Sequence, residues 1–161
     1  MKTFLRIAPL IAVAALVACG GAHKTTTVST SNGDATVTQD ARGQTTTVKT
    51  SQGSVTVGAS VDPAQLGAPV YPGANANTAG SISYTGANGG AMAAFDTPDN
   101  FAKVYDFYKS QLPAGSEKVK MEGADGSVAQ FDVTSSNGET VVQINGKSGL
   151  TEIIITHKAK N

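Results

Sequence analysis

From Lys24 onward the chain repeats one device, a short run of β-branched or apolar residues followed by a turn built around glycine. In the first part the turns are Ser31-Asn32-Gly33, Ala41-Arg42-Gly43 and Ser51-Gln52-Gly53, their glycines ten residues apart. The runs that follow them are Ala35-Thr36-Val37-Thr38, Thr45-Thr46-Thr47-Val48 and Val55-Thr56-Val57. Further along, Gly123-Ala124-Asp125-Gly126, Ser136-Asn137-Gly138 and Asn145-Gly146-Lys147-Ser148-Gly149 punctuate runs richer in Val, Ile and Phe. Glycine supplies the positive φ of tight hairpin turns, and Val, Ile and Thr fit a pleated, half-buried surface. Strands joined this way must be antiparallel neighbours.

One segment breaks the period of two. Phe101, Val104, Tyr105, Tyr108 and Leu112 fall at i, i+3, i+4, i+7 and i+11, which is one stripe of a helix. Thr97-Pro98-Asp99 offers it a cap, a proline at the first position and a carboxylate near the positive end of the dipole, and Pro113-Ala114-Gly115 ends it. Two strands before the helix, near 82–85 and 91–96, and four after it, near 117–121, 128–133, 140–144 and 150–157, predict an α+β fold. In that fold an antiparallel sheet of order ββαββββ carries one helix on a face, preceded by a Thr-rich β-prone segment. Phe95, Val119, Met121, Phe131, Val133, Val141, Ile144, Ile153 and Ile155 are the expected apolar set of the sheet.

Residues 61–161 are accordingly read as the domain, 19–60 as a lipidated N-terminus with a Thr/Ser/Gly-rich repeat or tether, and 1–18 as a signal peptide. The repeat has only Val28, Val37, Val48, Val55 and Val57 for an apolar face, and so thin a face makes a marginal sheet on its own. A stalk or a set of added strands is expected there. The Thr-x-Thr units at 25–27, 36–38 and 45–47 resemble the ladders of some antifreeze proteins, but solvent-facing strand threonines give the same pattern.

The signal reading rests on Lys2 and Arg6, followed by eleven residues from Ile7 to Val17 that are apolar apart from Pro9, a run too short to span a bilayer as a helix. It ends in Leu16-Val17-Ala18-Cys19-Gly20, which resembles the lipobox of bacterial lipoproteins. That resemblance implies a diacylglyceryl group on the Cys19 thiol, cleavage before Cys19 and a further acyl chain, palmitate among them, on the freed amine. Two acyl chains already anchor stably, since each buried methylene contributes about 0.8 kcal/mol. Gly20 and Gly21 follow in place of the aspartate that resembles an inner-membrane retention signal, which favours the outer membrane. The membrane, reached through lipid on Cys19, and other envelope proteins are the expected partners. Nucleic acid is not, because no cluster of Lys or Arg remains once Lys2 and Arg6 are removed. With one cysteine the chain has no internal disulfide and no paired-cysteine zinc spacing.

A second resemblance lies in the domain. Val70-Tyr71-Pro72-Gly73-Ala74, Phe95-Asp96-Thr97-Pro98-Asp99 and the helix with Phe107-Tyr108 are similar to a recurrent pattern in uncharacterised bacterial envelope proteins, spanning about 66–157. It implies a fold and an address. The chemistry-bearing residues do not form a familiar constellation: His23 and His157 are lone, Asp96, Asp99 and Asp106 lack EF-hand spacing, and 86–90 lacks the Lys-Ser/Thr of a phosphate loop. No catalytic residue, cofactor or metal ligand is assigned. Of the four tyrosines, Tyr105 and Tyr108 belong to the helix stripe, whereas Tyr71 with Pro72 and Gly73 is the expected binding surface. The expected function is that of a lipid-anchored, non-enzymatic binding or interaction module of the cell envelope. The alternatives are a structural or adhesin-like surface protein working through the Thr-rich repeat and, third, a hydrolase.

Overall fold

The computed structural model describes residues 23–30, 33–42, 44–86 and 89–160; Cys19 and the segment read as a signal peptide lie outside them. The described strands are β1 (Lys24–Thr30), β2 (Gly33–Gln39), β3 (Thr46–Thr50), β4 (Gly53–Val57), β5 (Asn75–Gly86) and β6 (Gly90–Thr97), then β7 (Glu117–Gly123), β8 (Gly126–Ser135), β9 (Gly138–Lys147) and β10 (Leu150–Ala159). The helix α1 (Phe101–Gln111) follows β6. All ten strands form a single sheet in the order β1-β2-β3-β4-β5-β6-β10-β9-β8-β7, every neighbouring pair antiparallel.

The fold is therefore an antiparallel sheet with one helix, but the expected order ββαββββ covers only β5 to β10. Four strands stand in front of it, and they are not a separate preface. Val55 and Val57 of β4 pair with Tyr84 and Ile82 of β5, so the sheet runs unbroken across residue 60. The intervening chain, 58–74, crosses to the helix side, with a short 3-10 turn at Pro63–Gln65 capped by Asp62 Oδ1, which accepts from the Ala64 amide at 2.9 Å. Leu66, fully buried, fastens this crossing to the core.

The helix closes the topology. It carries the chain from β6 over β10, β9 and β8 to the far edge at β7, and its predicted stripe is the face that packs: Phe101, Val104, Tyr105, Tyr108 and Leu112 are all buried. They meet Ala93 and Phe95 of β6, Ile153 and Ile155 of β10, Val142 and Ile144 of β9 and Ala129 and Phe131 of β8. Gly146 makes this approach close, since a methyl there would lie 2.7 Å from Phe101 Cβ. The cap differs from the expected one. Asn100 is the N-cap, its Oδ1 accepting from the Lys103 amide at 3.0 Å, while Thr97 ends β6 and its hydroxyl accepts from the Asp99 amide at 3.3 Å. The threonine makes a local turn three residues early because its oxygen reaches the amide two residues on.

Three expected core residues lie elsewhere. Val141 is half-buried on the opposite face of β9, by the alternation that buries Val142; on edge strand β7, Val119 is half-buried on that same far face, opposite Gln130, and Met121 is 62 % exposed near the strand's end. Following the pairing outward gives each face a distinct character. On the side away from α1, Val37, Val48, Val55 and Tyr84 stand in one cross-strand row, and Val57, Ile82, Met92, Thr156 and Val141 in another. On the helix side, Thr25, Thr38, Thr47, Thr56 and Ser83 form a row of hydroxyls. Thr47 and Thr56 share a hydrogen bond of 3.1 Å within it.

Candidate functional site

The corner between β6 and α1 positions the most heavily bonded polar cluster among the described residues. The Thr151 hydroxyl, buried at the start of β10, donates to the Asp99 carbonyl at 2.7 Å and pins the turn before the helix. The Asp99 carboxylate then accepts from two sides through Oδ2, from the Tyr71 hydroxyl at 2.7 Å and from Lys103 Nζ at 2.9 Å. The hydrogen bond from Lys103, followed by that from Tyr71, holds the Asp99 carboxyl below its ordinary pKa. Lys103 is raised in turn by Asp99, and Tyr71 is raised first by burial and then by the hydrogen bond to Asp99. All three groups are thereby stabilised in the forms that bond one another.

Tyr71, expected to share the binding surface with Pro72 and Gly73, is itself buried. Its ring meets Phe107 edge-on, with centroids 5.2 Å apart, and Phe107 meets Tyr108 in the same manner at 5.1 Å. The Tyr108 hydroxyl is fully buried, and burial pushes its pKa well above the ordinary value. What reaches solvent is the turn that Tyr71 anchors. The Ala74 amide donates to the Tyr71 carbonyl at 3.1 Å, Pro72 occupies the first corner and Gly73, with φ at +78°, the second, a type II arrangement. Pro72 and Gly73 are both exposed. Beside them an open cleft of about 450 Å³ runs between Pro72, Asp99, Lys103, Asp106 and Phe107. The expected surface is thus brought together as a rigid Pro-Gly knuckle on a buried tyrosine, flanked by one cation and two carboxylates.

A second depression, which sequence reasoning missed, lies where the 58–74 crossing passes the ends of β5, β6 and β10. It measures about 690 Å³ and is bordered by Gln65, Ser83, Tyr84, Asn137 and His157. His157 Nδ1 and the Thr140 hydroxyl are 2.9 Å apart, and that hydroxyl also donates to the Leu66 carbonyl at 3.4 Å. With the hydroxyl proton given to Leu66, the ring donates to that hydroxyl from Nδ1. Among the described residues no group of His, Cys, Asp and Glu is arranged to hold a metal ion. Asp96 joins Asn77 at 3.1 Å, so of the three acidic residues around the helix start only Asp99 and Asp106 border one cleft.

Midway along α1, Tyr105 ties the helix to edge strand β7. Its hydroxyl donates to Glu117 Oε2 at 2.9 Å and accepts from Lys109 Nζ at 3.0 Å, while Lys120 Nζ sits 4.2 Å from its ring centroid. This is a structural clasp that fastens the far edge of the sheet, with the cation over the ring adding to the ion pair of Lys109 and Glu117 at 3.6 Å. Compared with known proteins, the chain matches no family model, no curated protein and no solved structure.

Proposed function

We propose that the chain is a lipid-anchored cell-envelope protein, held in the outer membrane through acyl chains on Cys19, and that its α+β part is a non-enzymatic interaction module for another envelope protein. The observation that carries the address is the sequence Leu16-Val17-Ala18-Cys19-Gly20 behind a basic and then apolar leader. Lys24, where the first strand begins, lies five residues beyond the anchoring cysteine, so the sheet would sit close to the lipid surface. The module reading is supported by the knuckle of Pro72 and Gly73, a backbone shape fixed by φ restriction and by a buried tyrosine, which can be read by a partner at little entropic cost.

A second reading, a structural or adhesin-like surface protein, is favoured by the row of Thr25, Thr38, Thr47, Thr56 and Ser83, since none of these lies under the helix. The anchor is tested by Cys19→Ala. The variant is expected to lose palmitate labelling and to leave the membrane fraction; continued labelling would end the lipoprotein reading.

A further inference from the structure

The two edges of the sheet are defended very differently. Edge strand β7, Glu117-Lys118-Val119-Lys120-Met121-Glu122-Gly123, alternates charges along its length, and its pairing with β8 shifts register between Glu117 and Val119. Charged side chains and a register irregularity are how natural sheets keep other strands off an edge. Edge strand β1, Lys24-Thr25-Thr26-Thr27-Val28-Ser29-Thr30, has neither device. It pairs with β2 at seven consecutive positions without a shift, contains no proline, and carries its one charge at the first residue. Among the described residues nothing pairs with its outer side.

The outward groups of β1 can be assigned from its pairing. β2 starts at Gly33, opposite Thr30, and a pair that closes so short a hairpin exchanges both of its backbone hydrogen bonds. Alternation then directs the backbone of residues 24, 26, 28 and 30 toward β2 and that of Thr25, Thr27 and Ser29 outward. We infer that this edge pairs with β1 of a second copy, antiparallel about a two-fold axis at Thr27, joining two sheets into one.

The second copy is favoured as occupant because β1 is complementary to itself in that register. Thr27 lies opposite Thr27 of the other copy, Thr25 opposite Ser29 and Thr26 opposite Val28, so every outward amide and carbonyl meets its mate. Lys24 falls opposite position 30, and no like charges meet. A two-fold axis normal to the sheet also keeps each face continuous across the junction, hydroxyl row to hydroxyl row and valine side to valine side. A foreign strand with charges along its length would find only Lys24 to answer them.

The test uses the chain with Cys19→Ser, so that an introduced thiol is the only one. Hydrogen-bonded partners on paired strands have Cα atoms about 5.5 Å apart, within the disulfide range of about 4.4–6.8 Å. Thr27→Cys is therefore expected to convert most of the protein to a covalent dimer under mild oxidation. Ser29→Cys, whose thiols would be about 14 Å apart in this register, is expected to stay at the background level. Without oxidation, light scattering should give twice the chain mass, and Thr27→Pro should halve it while circular dichroism stays unchanged, since the amide it removes points away from β2. A monomer at every concentration, a dimer that survives Thr27→Pro, or equal crosslinking at both cysteine positions would overturn the proposal.

Discussion

Adding one methyl at Gly146 should unseat the start of α1. The new carbon would lie 2.7 Å from Phe101 Cβ and 3.2 Å from the ring atoms Cγ and Cδ2. Ordinary carbon contacts lie at about 3.5–4.0 Å, so the separation must grow by roughly 1 Å. A rotamer change cannot provide it, because Cβ is fixed by the backbone of the first helical residue. The helix start must lift, and with it the Asn100 cap, the Thr151 to Asp99 hydrogen bond and the Tyr71 to Asp99 hydrogen bond. Overpacking of this kind costs about 1–3 kcal/mol, offset by about 0.4–1 kcal/mol from the stiffer unfolded chain, for a net loss near 1–2 kcal/mol. At about 2.1 cal/mol/K of unfolding entropy per residue, a domain of this size should melt about 3–7 °C lower. Gly123→Ala is the control, for a methyl there meets nothing nearer than the Gly126 carbonyl oxygen at 3.6 Å. It should melt at or slightly above the parent. Calorimetric or denaturant unfolding of the two variants decides the matter: if Gly146→Ala melts with Gly123→Ala, the close seat of Phe101 on β9 does not constrain the fold.

Acid should loosen the corner at Asp99. Its folded pKa is lowered from an ordinary 3.8, so its contribution to stability is present above that value and lost as pH falls through the folded pKa. Asp99→Asn is therefore expected to flatten the acid limb of a stability-against-pH curve measured by chemical denaturation, and an unchanged limb would show that other carboxylates set it. Hydrogen exchange should be graded across the sheet, slowest in β9 and β10, intermediate in β4 and β5 and fastest in β1, because among the described residues the buried core includes none from β1 to β4. Uniform protection from β1 to β10 would contradict that placement of the core.

The helix was legible in the sequence because five apolar residues at helical spacing leave little choice of face, and each of them is buried. Its cap was ambiguous because Thr97, Asp99 and Asn100 are all able caps within four residues, and only the geometry of the turn selects Asn100. The sheet alternation was legible too, down to the common face of the five N-terminal valines. What could not be read was their attachment. Whether Val55 and Val57 meet Tyr84 and Ile82 depends on a long β5, and the Ile82-to-Thr85 run gave no sign of starting back at Asn75. The candidate site was visible as a Pro-Gly turn, but the burial of Tyr71 depends on Asp99, 28 residues later, and local sequence cannot show that. His157 looked solitary for the same reason, since Thr140 is 17 residues away.

The meander of β1 to β4 has a parity. Each strand there bonds only to its neighbours in sequence, so a whole hairpin could be removed or added without disturbing α1 or the strands beneath it. Removing β1 and β2 together would leave β3 at the edge, narrow the sheet by about 10 Å, and still bring the chain in from the same end. Removing one strand alone would bring it in from the opposite end and turn the whole molecule over relative to whatever holds its N-terminus. A repeat of this kind is free to vary in length by twos, and a change by one would swap which end of the sheet, the Pro72 knuckle included, points away from the anchor.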